Sequence, residues 1–478
     1  MLKRLKILFV AFAVLVSAII CRLFYISVID GERLSKMAVS QRTESVRFQS
    51  PRGIIYDRNM LKLTDAEMEL VVKDGKPYYV NRGKSDILSH VIGYISGDGS
   101  GCGIEGAFDY VLAPDSSSTI AYLKDINNNR ISDGYSINLE RKRNGVALTI
   151  DYHVQKIVEK AMDNHSVNGA VIVADCKTGE ILAMASRPNF DRKNLADYLD
   201  GTDGELVNKG IQAYNPGSVF KIIVAAAALE NSFNEDMLYE CNGKTTVDGM
   251  EFNCHEEDGH GVQNIPQAFA NSCNCAFYEI GTNLGGEEIK KLSTALGIGN
   301  EVLGINGILE KTGNVPDAKT KPELANISIG QGDVMVTPLQ IADVLCTLCN
   351  GGVRKQMTLI RGVVDDYGNC AAVSPAERGR VLSETTSRRL MNMLRLGVSQ
   401  GTGSSAQIEK YGAGGKTGTA ETGWKKDGEL MQQGWFAGFF PAENPRYVCV
   451  VIAENGKSGS SSACPVFKEI GTGVCAIR

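Results

Sequence analysis

The sequence predicts a mixed α/β (α+β) fold, an antiparallel sheet flanked by helices. Two hairpin signals and two buried-helix signals carry that reading. Apolar runs at 169–174 and 181–185 flank the turn Asp-Cys-Lys-Thr-Gly-Glu. A second pair, 434–440 and 447–452, flanks Pro-Ala-Glu-Asn-Pro-Arg. Short apolar runs bounded by turn residues read as hairpins of buried strands. Between them, 219–230 and 338–349 are apolar nearly all round, as buried helices are. The order is strands, helices, strands.

From the N-terminus, Lys3, Arg4 and Lys6 precede an apolar stretch at 7–29, interrupted by Arg22. As a helix it is about 34 Å long, enough to span a bilayer. Arg22 and Tyr25 suit the outer interface, and the basic start favours an N-terminus inside. No A-x-A site is visible, and Ile20 is large for a lipoprotein site before Cys21. An uncleaved single-pass anchor is therefore expected, with a cleaved signal peptide as the alternative. The expected division is 1–30 cytoplasmic stub and anchor, 31–145 a mixed pedestal, and 146–478 the α/β part. The pedestal has a strand-like piece at 69–73 and ends in basic Arg141-Lys142-Arg143. A Ser/Gly-rich stretch at 457–462 reads as an exposed loop or disordered patch. The net charge of −5 implies no nucleic-acid partner.

Three short motifs supply the parts of an acyl-transfer site. Ser218-Val-Phe-Lys221 follows Pro216-Gly217, a turn into a helix start. Lys221, three residues on, shares a helix face with Ser218. It is the one polar residue from Val219 to Leu229. Burial there disfavours its charged form and lets it accept a proton from a nucleophilic serine. Alone, the pair reads equally as a helix-start serine and a lysine reaching for water. Ser272-Cys273-Asn274 lies 54 residues after Ser218, and Lys416-Thr417-Gly418-Thr419 follows 144 residues later. Gly418 permits close approach, and Lys416 is a point charge suited to a carboxylate. Each motif is weak singly; their joint occurrence in this order is the signature of active-site serine penicillin-recognising enzymes.

On these residues the chain resembles the class B penicillin-binding proteins, monofunctional peptidoglycan D,D-transpeptidases. The likeness extends to Arg52-Gly53-Ile54-Ile55-Tyr56-Asp57-Arg58 and to Gly103-Ile104-Glu105-Gly106 with Phe108-Asp109-Tyr110. It continues in Leu148-Thr149-Ile150-Asp151 with Gln155, in Gly330-Gln331-Gly332 and in Thr337-Pro338-Leu339-Gln340. The resemblance implies the penicillin-binding transpeptidase fold with Ser218 as nucleophile and Lys221 as its base. Ser272 would relay protons and Asn274 would bind the substrate amide. Lys416 and Thr417 would hold the terminal carboxylate, beside Gly418 and Thr419. The backbone N–H groups of Ser218 and Thr419 would form the oxyanion hole. Implied partners are stem peptides on the lipid-linked precursor, β-lactams, and a membrane glycosyltransferase of the shape, elongation, division and sporulation type. The catalytic part would lie outside the cell membrane, and no cofactor is required.

The 13 cysteines are odd in number and irregularly spaced, unlike a disulfide framework. An anaerobic source that keeps thiols reduced is one reading. Four of them, with two of the five histidines, fall between 241 and 275. Cys241, Cys254 and His260, with Cys273 or Cys275, could make a tetrahedral zinc site. The resemblance adds that some elongation-type relatives carry a zinc near the middle motif. The spacings match no standard finger, so buried or free thiols are the favoured alternative.

Two competing functions are a β-lactamase and a non-catalytic scaffold or sensor. A lactamase needs a deacylating carboxylate, and Glu323 with Asn326 is one residue short of that spacing. Glu323 therefore reads as an ordinary helix or loop residue. A sensor needs a cytoplasmic part, and about six residues precede the apolar stretch.

Overall fold

A computed structural model of the chain describes residues 2–47, 52–65, 68–73, 76–81, 83, 87–96, 101–113, 119–123, 144–365, 367–373, 375–426, 429–454 and 456–477. The basic triplet 141–143 lies outside them. Contacts divide the chain into two compact units, Met1–Pro51 with Pro114–Arg143, and Arg52–Ala113 with Asn144–Arg478. In the first, helix Leu2–Phe24 continues as a wide turn Tyr25–Ile29 and then helix Gly31–Arg42. Leu2–Ile29 is one continuous apolar helical segment of 28 residues and a candidate membrane span. Strand Thr43–Arg47 pairs antiparallel with Thr119–Leu123.

The second unit is built on a five-stranded, wholly antiparallel sheet. Its strand order is Gly414–Lys426, Glu429–Phe440, Tyr447–Ala453, Gly169–Asp175, Ile181–Arg187. Both hairpins expected from sequence are present, joined where Tyr447–Ala453 lies along Gly169–Asp175. Successive side chains of a strand point to opposite faces. Accordingly Ala170, Ile172, Ala174, Val448, Val450 and Ile452 enter one core, with the helices Lys221–Glu230 and Pro338–Cys349. Val171, Val173, Cys449 and Val451 enter the other, with Tyr152–Asn164 and Cys464–Ala476. Two covered faces explain why these strands read as continuous apolar runs. Each fully buried Val or Ile contributes about 1.5–3 kcal/mol.

The stretches of family resemblance outside the three motifs have local physical reasons. Thr337 and Gln340 form a reciprocal capping box with Pro338 in the first turn, starting helix Pro338–Cys349. Asp151 caps Tyr152–Asn164 through the N–H groups of His153 and Val154. Gln155, fully buried, both donates to Met184 O and accepts from Met184 N–H, fastening that helix to the sheet. Arg52 binds Glu105 Oε2 and Asp109 Oδ1, each at 2.7 Å, so two distant sequence motifs are one ion cluster, buried at Arg52 and Glu105.

Candidate active site

Pro216 and Gly217 turn the chain into a short 3₁₀ segment, Gly217–Phe220, that runs into helix Lys221–Glu230. Gly217 has φ +52°, and a Cβ there would lie 2.4 Å from Thr419 O. Only glycine meets both demands cheaply, and its use brings the Ser218 turn against the Lys416–Thr419 strand. Ser218 thus sits one turn ahead of the buried helix, as its sequence context predicts.

Lys221 is fully buried rather than reaching for water. Its Nζ donates to Ser272 O at 2.6 Å and to Asn274 Oδ1 at 2.7 Å, with Ser272 Oγ at 3.4 Å. The Phe277 ring lies 5.3 Å away. No carboxylate is among these partners. Burial lowers the Lys221 pKa to about 7, against an opposing pull from the thiols of Cys273, Cys254 and Cys275. Ser272 has φ +56°, a left-handed conformation costly for a non-glycine residue. That turn aims its carbonyl, hydroxyl and the Asn274 amide at one ammonium.

The strand Gly414–Lys426 is the edge of the sheet, and its Lys416, Thr417, Gly418 and Thr419 pair with Ala437, Phe436, Trp435 and Gly434. Gly418 is required by contact, because a Cβ there would lie 2.7 Å from Pro216 O. Lys416 is also buried, above the Phe269 ring, with Nζ donating to Thr417 O at 3.2 Å. Burial, and after it the nearby Lys221, push its pKa well below the ordinary lysine range.

A cavity of about 320 Å³ brings the motifs together. Ser218, Ser272, Asn274, Thr417, Gly418 and Thr419 line it, while Lys221 and Lys416 lie behind its wall. Sequence reasoning missed six lining residues: His255, Ile329, Gln331, Thr402, Ser458 and Ser460. Gln331 stood inside a noted motif without a role. The Ser/Gly-rich stretch 457–462 is corrected from loose loop to part of the site. Ser458 caps Ser461, the segment winds into helix Cys464–Ala476, and Gly459 N–H reaches Thr419 Oγ1 at 3.4 Å. Small residues there allow close packing, and composition alone mimics disorder.

Next to the middle motif, the donor atoms of Cys241, Cys254, His260 and Cys273 all lie within 4.8 Å of one another. Cys241 Sγ and Cys254 Sγ are each 3.6 Å from His260 Nδ1. A tetrahedral zinc with ordinary bond lengths sets sulfur and nitrogen donors roughly 3.5 Å apart. Cys254 Sγ also accepts from Asn274 N–H at 3.4 Å. Two small strand pairs, Tyr239–Cys241 with Gly261–Gln263 and Lys244–Val247 with Met250–Asn253, carry or flank Cys241, Cys254 and His260, while Cys273 directly precedes helix Asn274–Leu284. Glu323, by contrast, stands on the exposed start of helix Lys321–Ser328 and accepts from Lys319 N–H at 2.7 Å.

Residues 169–472 match the family model "Penicillin binding protein transpeptidase domain". The chain belongs to this family. Among its relatives, penicillin-binding transpeptidases and their kin, Stage V sporulation protein D of Bacillus subtilis is 30% identical, covering 98% of this chain and 85% of that protein. Penicillin-binding protein PbpB of Mycolicibacterium smegmatis is 33% identical over 80% of this chain and 62% of its own length. Peptidoglycan D,D-transpeptidase PbpA of the same organism is 28% identical over 79% and 80%. The solved D,D-transpeptidase domain of a peptidoglycan glycosyltransferase from Eggerthella lenta superposes with a TM-score of 0.74 at 27% identity, covering 90% of this chain and 99% of that one. These matches bear out the penicillin-binding transpeptidase fold expected from sequence.

Proposed function

We propose that this penicillin-binding transpeptidase cross-links peptidoglycan stem peptides through an acyl-enzyme on Ser218, and that β-lactams acylate the same serine. The observation that carries the reading is the single cavity lined by Ser218, Ser272, Asn274 and Thr417–Thr419, with buried Lys221 bonded to the middle motif behind it. In this mechanism Ser218 Oγ attacks the penultimate D-alanine carbonyl, and its proton passes to neutral Lys221. The carbonyl oxygen becomes an oxyanion held by the N–H groups of Ser218 and Thr419, each worth about 3 kcal/mol. Ser272 returns a proton to the departing amine as the peptide C–N bond breaks and D-alanine leaves. An amine of a neighbouring stem then attacks the acyl-enzyme, forming the new amide and restoring the Ser218 hydroxyl.

Asn274 would hold the substrate amide and Thr417 the terminal carboxylate. Lys416, lying behind the cavity wall, would act on that carboxylate through its field. The test is intact mass of the protein after benzylpenicillin, with Ser218→Ala alongside. A stable one-to-one adduct lost in the variant is expected. No adduct with either would sink the acyl-transfer reading, and rapid consumption of penicillin would point to a hydrolase.

The family's acyl transfer needs no cofactor. We further read Cys241, Cys254, His260 and Cys273 as holding a structural zinc, supported by the donor set and its spacing. The metal would brace the two strand pairs against the Ser272–Asn274 turn. About one equivalent of zinc in the purified protein is expected, with thiols shielded from alkylation until chelation; under a tenth of an equivalent would reject the site.

The segment Leu2–Ile29 would be a single-pass anchor with the catalytic part outside the membrane, and 31–145 would be a pedestal. A membrane glycosyltransferase would supply the glycan, a reading that rests on family analogy. Failure to co-purify such a partner from membranes would count against it.

A further inference from the structure

Thr402 belongs to none of the three motifs, yet it touches two of their surroundings. It follows helix Glu384–Ser399 in the sequence Gly401-Thr402-Gly403. Its N–H donates to Ala270 O at 3.2 Å, two residues before Ser272. Its hydroxyl lies 2.6 Å from the Thr417 hydroxyl. The flanking glycines make this possible. A Cβ on Gly401 would lie 2.2 Å from Ala270 O, and one on Gly403 would lie 3.0 Å from Gly397 O. Any larger residue at 401 would push the loop off the Ala270–Ser272 segment. Thr402 therefore bridges the segment leading into Ser272 and the strand carrying Thr417, and both threonines line the cavity.

The chemistry of the pair is constrained. Two hydroxyls carry two protons, and their mutual bond consumes one. The other remains to be donated, and the lone pairs of a carboxylate can only accept. With its partner fixed by a backbone bond, the Thr417 hydroxyl is not a free rotor. We infer that Thr402 is a positioning residue for the carboxylate subsite, setting the Thr417 hydroxyl to donate to the terminal carboxylate of the stem peptide or β-lactam. This rests on the acyl-transfer reading above and adds to it a residue that determines specificity for a C-terminal carboxylate.

The test compares benzylpenicillin with its methyl ester, which lacks the carboxylate, on the unchanged protein, Thr402→Val and Thr402→Ser. Rapid mixing separates the dissociation constant of the first complex from the acylation rate constant. A hydrogen bond to a charged group is worth about tenfold or more in affinity. Thr402→Val is expected to raise the dissociation constant for benzylpenicillin about tenfold, with the acylation rate constant changed less than threefold. The methyl ester is expected to react with Thr402→Val and the unchanged protein at the same efficiency. Thr402→Ser, which restores the hydroxyl, is expected to recover benzylpenicillin binding. Thr402→Ala serves as a second hydroxyl-free variant should Thr402→Val fold poorly by its thermal midpoint. Equal losses for both compounds, a loss confined to the rate constant, or no loss would each overturn the inference. If the unchanged protein is not acylated at all, the acyl-transfer reading falls and this inference with it; any other failure sinks this inference alone.

Discussion

The buried cation Arg52 and the buried cations of the site, Lys221 and Lys416, are held in opposite ways within the second unit. Arg52 meets carboxylates at both ends of its guanidinium, with Glu105 wholly buried and Asp109 half exposed. Lys221 and Lys416 are equally buried but bond to carbonyl, hydroxyl and amide oxygens. Pairing with carboxylates makes the arginine a structural tie. Burial without a carboxylate drives both lysine pKa values down, and at Lys221, where the value falls to about 7, it leaves neutral amine accessible near neutrality. The same cost of desolvation is offset in one place and turned to chemistry in the other.

Replacing Lys221 by methionine breaks the comparison hardest. It removes the base while filling the same space, so acylation by benzylpenicillin should fall by about 10³-fold. The thermal midpoint should change little, since relief of a buried amine offsets the loss of its bonds to Ser272 O and Asn274 Oδ1. Rapid-mixing acylation and thermal denaturation check the two halves. Arg52→Met should do the reverse. It strands Glu105 and should cost about 3–5 kcal/mol in denaturant unfolding. Acylation per folded molecule should stay unchanged, and a comparable loss of acylation there would erase the distinction.

A smaller effect is expected at Gly217. Alanine would take up φ +52° and press on Thr419 O, parting the nucleophile turn from the edge strand. Strain of about 1–3 kcal/mol is expected. Acylation should drop about ten- to a hundredfold from misplacement of the nucleophile. A variant as active as the unchanged protein would show that the close approach does not matter. The smallest effect should come from Glu323→Gln, which should leave the lifetime of the penicilloyl adduct unaltered. Slower release would give Glu323 the hydrolytic role that its exposed position in the first helical turn denies it.

Much of this was legible in the sequence. The strands 169–175 and 447–453 announced themselves because both faces are covered, which writes a continuous apolar run. Lys221 stood out as one polar residue in a buried helix. The Cys/His cluster was visible as a local excess, and the structure brings Cys241, Cys254, His260 and Cys273 together. What was illegible depends on long-range approach. Thr402 reaches Thr417 because two glycines let a helix end lie against Ala270, and nothing in Gly-Thr-Gly says so. Ser458 and Ser460 looked like part of an exposed loop or disordered patch for the same reason, since small residues serve both looseness and close packing. The strand pairs at 239–263 are short and half exposed, with no run long enough to mark them.

The central claim is that Lys221 acts as a neutral base. The most direct test is the acylation rate constant for benzylpenicillin between pH 5 and 9. Loss of the lysine proton activates Ser218, so the rate should rise about tenfold per unit at low pH and level off above a midpoint of about 7. A flat profile, or a rate still rising at pH 9 as for an ordinary lysine, would contradict the account.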